Sequence, residues 1–470
     1  MRILIVSAYF PPLNSIASLR PYTWAKYWSQ AGHDVSVLTT EKAPSVSDLQ
    51  LVLDDSVKCL EVPIPELALL KRFKAPEDTR RAVTQGAAEE HSNSVPAEKA
   101  HLWRSLKVSV TRPLDRFRKS RGIFLTARMP DHHDLWIKPA FRAVAQTHWD
   151  LVVSTYGPYA CHLVAMRLKQ RRRANYWIAD FRDMWTQNHI FPGLWPFTHV
   201  EEWLERRVLR TADAVTTVSA GLARQIESKH GCKAHVIENG FDPDDYRELS
   251  PVRAFPQDEK FRILYTGTLY PGRQDPAPLF QAINELRREG FAQANRLRVI
   301  FAGSRLDNID SLAKQNQVSD LVECNGLVPR DRALRMQRDA DLLLFPEFDA
   351  GRREGILTGK LFEYLASGTD ILGIGIEPHS EVGLIIRKYD SGDFFGADSS
   401  AIGAFLIGRL SNSNQEIKRD LNQRRAELAQ EYGRDVLAAR MLALCPVTTN
   451  ELGSLASLNR KFGWRSRHMY

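Results

Sequence analysis

The chain has 470 residues, more than one hydrophobic core usually supports, so two domains are expected. Apolar residues make up 43% and charged residues 26%, the balance of a folded globular protein, which excludes disordered and fibrous classes. The net charge of +8 suits anionic partners: nucleic acid, phosphorylated small molecules or an acidic membrane surface.

The opening MRILIVSAYFPP has a very short apolar core, one basic residue and a Pro-Pro end, so it reads as a buried first strand and not as a signal peptide. Ser18–Ala31 has helical character, Gly32 stops it, and Val35–Thr39 is β-rich. Further apolar runs follow at Leu151–Ser154, Tyr176–Ala179, Ala214–Val218 and His235–Ile237. Helical stretches such as Val200–Arg210 and Gly221–His230 separate them. The alternation restarts with a strand at Phe261–Thr266 and a helix at Pro276–Glu289. A strand at Arg298–Phe301, helices at Ile309–Gln317 and Arg330–Arg338, and a strand at Asp341–Phe345 complete it. Apolar strands alternating with helices imply parallel sheets covered on both faces. The fold class is therefore α/β, two Rossmann-like halves facing across a cleft, with the Pro-, Asp- and Glu-rich stretch Asp242–Glu259 as linker.

Two stretches differ. From about 70 to 128 the chain is a polar, charged insertion. Its end, His101–Arg128, interleaves Arg104, Lys107, Arg112, Arg116, Arg118, Lys119 and Arg121 with Trp103, Leu106, Val110, Leu114 and Phe117. That is a basic amphipathic pattern, broken or restarted at Pro113, and it suits either a membrane surface or solvent. The tail repeats it with Arg460, Lys461, Phe462, Trp464, Arg465 and Arg467. No apolar run approaches the roughly 18–20 residues needed to span a bilayer. Five scattered cysteines without a CxxC pair argue against a disulfide framework or zinc site, and fit a reducing cytoplasm.

The segment GILTGKLFEYLASG, Gly355–Gly368, carries the sharpest chemistry. Thr358 is a good helix N-cap and Gly368 a good stop, so a short helix begins beyond the strand Asp341–Phe345. Its free N–H groups and positive dipole end suit a diphosphate, and Lys360 adds a full charge. Glu363, one turn on, can accept both hydroxyl protons of a ribose. A solvated amphipathic helix explains the same residues equally well when this segment is taken alone.

KLFEYLASG, preceded by Gly355-Ile356-Leu357, resembles the donor motif of the retaining GT-B glycosyltransferases of family four. Further similar segments stand in that family's order: VSAGLARQIESKHG, VIENGFDPDDY, YTGTLYPGRQDPAPLFQAI and CNGLVPRDRAL leading into DADLLLFPEFD. The resemblance implies that Glu363 binds the nucleotide ribose, that Gly267 lets backbone approach the donor phosphates, and that Arg273 and Lys360 neutralise the leaving diphosphate. Leu357 and Thr358 complete the grip. The sequence departs from the pattern twice. Gly355 stands where the family has its first motif glutamate, with Glu354 one residue earlier as the possible substitute. Thr268 stands where a basic residue often follows the first glycine of the donor domain.

On the acceptor side, FPPLNSIASLR offers Asn14, Ser15 and Arg20 at the start of a helix; Arg20 reads either as a phosphate contact or as an exposed helix arginine. IADFRDMWT resembles the FRD-x-W segment of bacterial polysaccharide glycosyltransferases, with Arg182 and Asp183 just past a strand end. It reads either as an acceptor and catalytic element or as a structural ion pair. His132 and His133 are adjacent and point apart, so no metal site is expected.

The resemblance implies an acceptor-side domain over 1–245, a nucleotide-sugar domain over 246–430, and a C-terminal helix and tail over 431–470 that cross back. It implies front-face transfer with retention, the leaving phosphate taking the proton, with no cofactor beyond a nucleotide diphosphate sugar as co-substrate. A saccharide or polyprenyl-diphosphate-linked acceptor and peripheral contact with the inner leaflet through the insertion complete the expectation. The rivals are weaker. No GxGxxG follows a strand, against a nicotinamide or flavin enzyme. A non-hydrolysing sugar epimerase shares the architecture. Nucleic-acid binding would use the charge, but no binding module is present.

Overall fold

The computed structural model describes residues 1–13, 15–42, 51, 53–65, 117–188, 190–349, 357–411 and 421–446. The chain forms two compact units, one of Met1–Ala25 and Gly32–Asp213, the other of Lys26–Ala31 and the chain from Ala214 onward.

The first unit contains β1 (Arg2–Val6), most of α1 (Ile16–Gln30), β2 (Asp34–Thr40), β3 (Lys58–Val62) and a short helix α2 (117–121). It continues with α3 (Ile137–Val144), β4 (Trp149–Thr155), α4 (Ala160–Gln170), β5 (Ala174–Phe181) and α5 (Phe197–Thr211). Its strands lie in the order β3-β2-β1-β4-β5, all parallel. Strands buried on both faces need continuous apolar runs, and Ile3–Val6 and Leu151–Val153 are fully buried. Two ion pairs are buried with them. Arg20 donates to both carboxylate oxygens of Asp180, at 3.1 and 2.7 Å. Arg128 donates to Glu201 from Nε at 3.1 Å and Nη2 at 2.9 Å.

The second unit opens with β6 (Ala214–Thr217), α6 (Ala220–His230), β7 (His235–Val236) and α7 (Pro243–Arg247). A six-stranded parallel sheet follows, built from β8 (Phe261–Thr266), β9 (Leu297–Ala302), β10 (Val322–Gly326), β11 (Leu342–Pro346), β12 (Ile371–Ile374) and β13 (Gly392–Phe395). Its order is β10-β9-β8-β11-β12-β13. The covering helices are α8 (Ala277–Arg288), α9 (Ile309–Gln315), α10 (Arg330–Asp339), α11 (Gly359–Ser367), α12 (Glu381–Lys388), α13 (Ser399–Ser411), α14 (Leu421–Tyr432) and α15 (Arg434–Leu442).

Alternation along β8 shows how both faces are filled. Ile263 and Tyr265 pack with Leu279, Phe280 and Ile283 of α8 and Ile402 and Leu406 of α13. Leu264 faces the other way, toward Leu361, Phe362 and Leu365 of α11 and Leu428 of α14. The apolar face of α11 is thus locked on the sheet, which fixes the direction of its first turn. The expected strands and helices are found close to their expected bounds. Sequence reading gave no strand at Lys58–Val62, whose residues are mostly exposed and lack a clean apolar alternation.

The segment VIENGFDPDDY forms a clamp within the second unit. Asp242 holds the last turn of α1, taking Lys26 Nζ at 3.0 Å and Tyr27 Oη at 2.6 Å. Asn239 Nδ2 donates to Leu357 O at 3.2 Å and Tyr246 Oη to Glu363 O at 2.8 Å, so the approach to α11 and its middle are both tied to this segment. Gly240 has φ +59°, and a Cβ there would stand 2.4 Å from Tyr432 O.

Candidate active site

Helix α11 starts at the carboxyl end of β11, as the sequence requires. Thr358 takes the extended backbone of an N-cap, φ −81° and ψ 147°, yet its side chain caps nothing. Its Oγ1 is buried without a hydrogen-bond partner. An unpartnered hydroxyl beside the open N–H groups of a helix is a donor-rich spot that an anion would satisfy.

Lys360 lies in the first turn. Its Nζ sits over the Tyr265 ring, 3.7 Å from the centroid. Among the described residues no carboxylate or hydrogen-bond acceptor is paired with it. Burial pushes this ammonium down to about 7, only partly opposed by the negative charge of Glu363. Gly267 ends β8 with φ +113°, and its N–H donates to Ala302 O at 2.8 Å. A Cβ on Gly267 would lie 3.1 Å from Lys360 Cε, so a strand end and a helix start converge on one lysine. Gly303 ends β9 against it; a Cβ there would meet Gly267 O at 1.8 Å.

Replacing Gly267 by Ala therefore strains a left-handed backbone by about 1–2 kcal/mol and crowds Lys360. The expected result is a melting temperature a few degrees lower and roughly tenfold weaker binding of a nucleoside diphosphate, read by calorimetry.

Thr268 turns its Oγ1 to Ser304 Oγ at 2.8 Å, and its carbonyl accepts from Tyr265 Oη at 2.6 Å. Arg273 is exposed, with Nη1 donating to Asp349 O at 3.1 Å, and Asp349 N returns a bond to Arg273 O at 2.7 Å. The loop after β8 is thereby laced to the loop after β11. Glu354, Gly355 and Ile356 lie outside the described residues, as do Asn14, the insertion up to 116 and the tail from 447.

Glu363 is 8% exposed, one turn beyond Lys360. Its Oε1 accepts from Arg330 Nη1 at 2.9 Å, and Arg330 Nη2 donates to Asp245 Oδ2 at 2.6 Å. Burial acts to raise the Glu363 carboxyl, but the charges of Arg330 and Arg434 outweigh it and hold the group below its ordinary range. Sequence reasoning passed over Arg330. The signal was there: a cation in the first turn of a helix, preceded only by Val-Pro, opposes the dipole and implies an acidic partner. Glu347 was also passed over. At the end of β11 burial, with the Glu377 charge adding to it, pushes its carboxyl up to about 7.

In the first unit, Arg20 points inward to Asp180 and is 6% exposed, so its guanidinium is committed to the core. Ser15 Oγ accepts from Ala17 N at 3.3 Å. Arg182 donates from Nε to Tyr156 O at 2.9 Å and lies over the Tyr9 ring at 5.6 Å. Gly157 makes room for it, since a Cβ there would stand 2.8 Å from Arg182 Nη2. Asp183, 3.8 Å from Arg182, keeps its side chain 52% exposed at the carboxyl end of β5, able to meet a hydroxyl group. Asp131, His132 and His133 cluster closely enough to hold a metal ion. The Asp131 carboxylate, however, already accepts from Thr126 N at 2.8 Å, His133 N at 3.0 Å and His133 Nδ1 at 2.6 Å, which makes it a cap for the turn. Five free cysteines are present, and no described helix is long and apolar enough to cross a membrane.

Residues 20–240 match the family described as glycosyl transferase 4-like domain. No curated protein matches the chain significantly. Among solved structures, sucrose-phosphate synthase from Thermosynechococcus elongatus is similar at a TM-score of 0.60 and 13% identity, over 96% of this chain and 99% of that one. WaaG, a glycosyltransferase involved in lipopolysaccharide biosynthesis, gives 0.55 and 11% over 94% and 99%. The lipopolysaccharide outer core galactosyltransferase WaaB gives 0.51 and 10% over 94% and 99%. The chain thus has two Rossmann-like domains like those of the GT-B glycosyltransferase fold, and its residues 20–240 resemble the glycosyl transferase 4-like domain.

Proposed function

We propose that this chain is a retaining glycosyltransferase that moves a hexose from a nucleotide diphosphate sugar to a saccharide or polyprenyl-diphosphate-linked acceptor in cell-surface polysaccharide synthesis. The observation that carries the reading is the convergence of Gly267, Lys360 and the uncapped start of α11, with Thr358 Oγ1 buried and unpartnered. A diphosphate would take up those donors and raise Lys360 to full charge. Arg273, further along the loop that begins at Gly267, can add the second cation. Together these groups can stabilise the leaving diphosphate without a metal ion. Glu363 and Arg330 frame the ribose, and Asp183 is the group to which the acceptor hydroxyl is assigned. The membrane-linked acceptor fits the two lipopolysaccharide enzymes of the same fold, as a likeness of architecture.

The test is a thermal-shift screen of nucleotides. A nucleoside diphosphate at a hundred times its dissociation constant should stabilise the second unit by about 2.7 kcal/mol. The nucleoside alone should give far less. Equal shifts for nucleoside and diphosphate would remove the phosphate grip and the reading with it.

A further inference from the structure

Helix α5 buries Val208 and Leu209 in its last turns, but its first turns distribute their side chains against the usual rule. Its inward face carries two carboxylates, Glu201 and Glu205, which are 0% and 1% exposed. Glu201 is satisfied by Arg128, by Met129 N at 2.9 Å and by Trp185 Nε1 at 3.2 Å, and Glu205 accepts from Thr186 N at 3.2 Å. The outward face carries apolar groups instead. Val200 is 44% exposed, Trp203 54%, and Trp195, two residues before the helix, 75%. Arg206, Arg207 and Arg210 stand exposed on the same helix, and the Arg207 guanidinium lies 5.3 Å from the Trp203 ring centroid. Steps of three and four residues from Val200 to Trp203, Arg207 and Arg210 place them on one side.

The face continues onto α2. Gly193 N donates to Arg121 O at 3.2 Å, which seats the end of α2 beside the segment leading to Trp195. There Phe117 is 44% exposed under the Arg121 guanidinium, and Lys119 is exposed beside it. Glu202, half-buried, is the one carboxylate of α5 outside its buried face. Exposed indoles among arginines, with the acids of the helix withdrawn, match a layer that is apolar at one depth and anionic at the next. A bilayer headgroup region has both properties.

We propose that this face of the first unit rests on an anionic phospholipid bilayer. Trp195 and Trp203 sit among the headgroups, and Arg206, Arg207 and Arg210 meet their phosphates. The contact requires neither the activity proposed above nor the basic segment 101–116. Flotation of the full chain with vesicles decides it. The protein should rise with vesicles containing phosphatidylglycerol, stay down with phosphatidylcholine alone, and be released by high salt, which shortens the Debye length to about 3 Å at 1 M.

The variant W195S/W203S, altered only at exposed side chains, should keep the melting temperature and lose partition about tenfold or more. R206Q/R207Q/R210Q should lose the preference for anionic lipid. R104Q/K107Q/R112Q, in the insertion, should retain partition through α5. Two results would overturn the proposal: no flotation of the unaltered chain, or flotation undiminished in W195S/W203S, whether or not the insertion variant loses it. A dimer that W195S/W203S converts to monomer, with vesicle binding unchanged, would assign the face to self-association and overturn it too.

Discussion

Replacing Lys360 by Gln is expected to lower kcat for sugar transfer by about 10²–10³, the usual cost of removing one preorganised group that stabilises transition-state charge. The lysine is held without a carboxylate or other described acceptor, over Tyr265 and against Gly267, so its charge is available to a phosphate. The same placement makes its ammonium weak, at about 7 in the free protein. A bound diphosphate favours the protonated form, so nucleotide affinity should be level below pH 7 and fall as pH rises through it, by up to tenfold per unit. Calorimetry in buffers of different ionisation enthalpy should show proton uptake on binding near pH 7.5. In K360Q both the uptake and the pH slope should vanish.

Folding linkage has its own sign. The unfolded chain holds this proton up to the ordinary lysine value near 10.4, so the native state is penalised most below pH 7 and regains stability toward pH 10. K360Q should therefore melt higher than the parent at pH 6, by about 2–4 °C for each 1 kcal/mol relieved. Lower activity with higher stability is the outcome that a merely structural lysine cannot give. If K360Q melts lower and keeps its pH slope, Lys360 is a packing residue and the diphosphate lies elsewhere.

Much of this was legible in the sequence because local chemistry and tertiary packing agree along the second unit. The strand Phe261–Thr266, the Gly267 turn and the helix beginning after Thr358 all carry their own signals, and the structure brings Gly267 and Lys360 together. What was less legible depends on partners distant in the chain. Arg20 sits at the start of a helix, where its sequence neighbours suggest an anion site. Asp180, 160 residues later, claims it from the core side. Glu363 looks like a free carboxylate in KLFEYLASG, and only the fold shows Arg330 and Asp245 against it. The outward Trp203 of α5, and Trp195 just before it, were hidden for the opposite reason. Val200–Arg210 reads as an ordinary amphipathic helix, and nothing local says that its glutamates turn inward to Arg128 and Thr186.

The ion-pair network around Glu363 carries the second large prediction. Glu363→Ala should cost about 3–5 kcal/mol of stability, because it leaves Arg330 half-neutralised beside Asp245 in a buried setting. Loss of affinity in that variant would by itself be ambiguous. Glu363→Gln separates the roles: the amide keeps the shape and can accept from Arg330, so stability should fall by about 1 kcal/mol only. A ribose whose two hydroxyls donate to a carboxylate, however, loses a charge-assisted acceptor worth about 1.5–3 kcal/mol. Affinity for a ribonucleoside diphosphate should drop roughly 10- to 150-fold, while affinity for the 2′,3′-dideoxy analogue stays as it was. An equal loss for both analogues would make Glu363 a strut that positions Arg330. The burial of Glu363 and its ion pair with Arg330 then gain a different meaning: the network would exist to hold the start of α10 against α11, and the ribose would have to be read by another group at the carboxyl ends of β8 to β11.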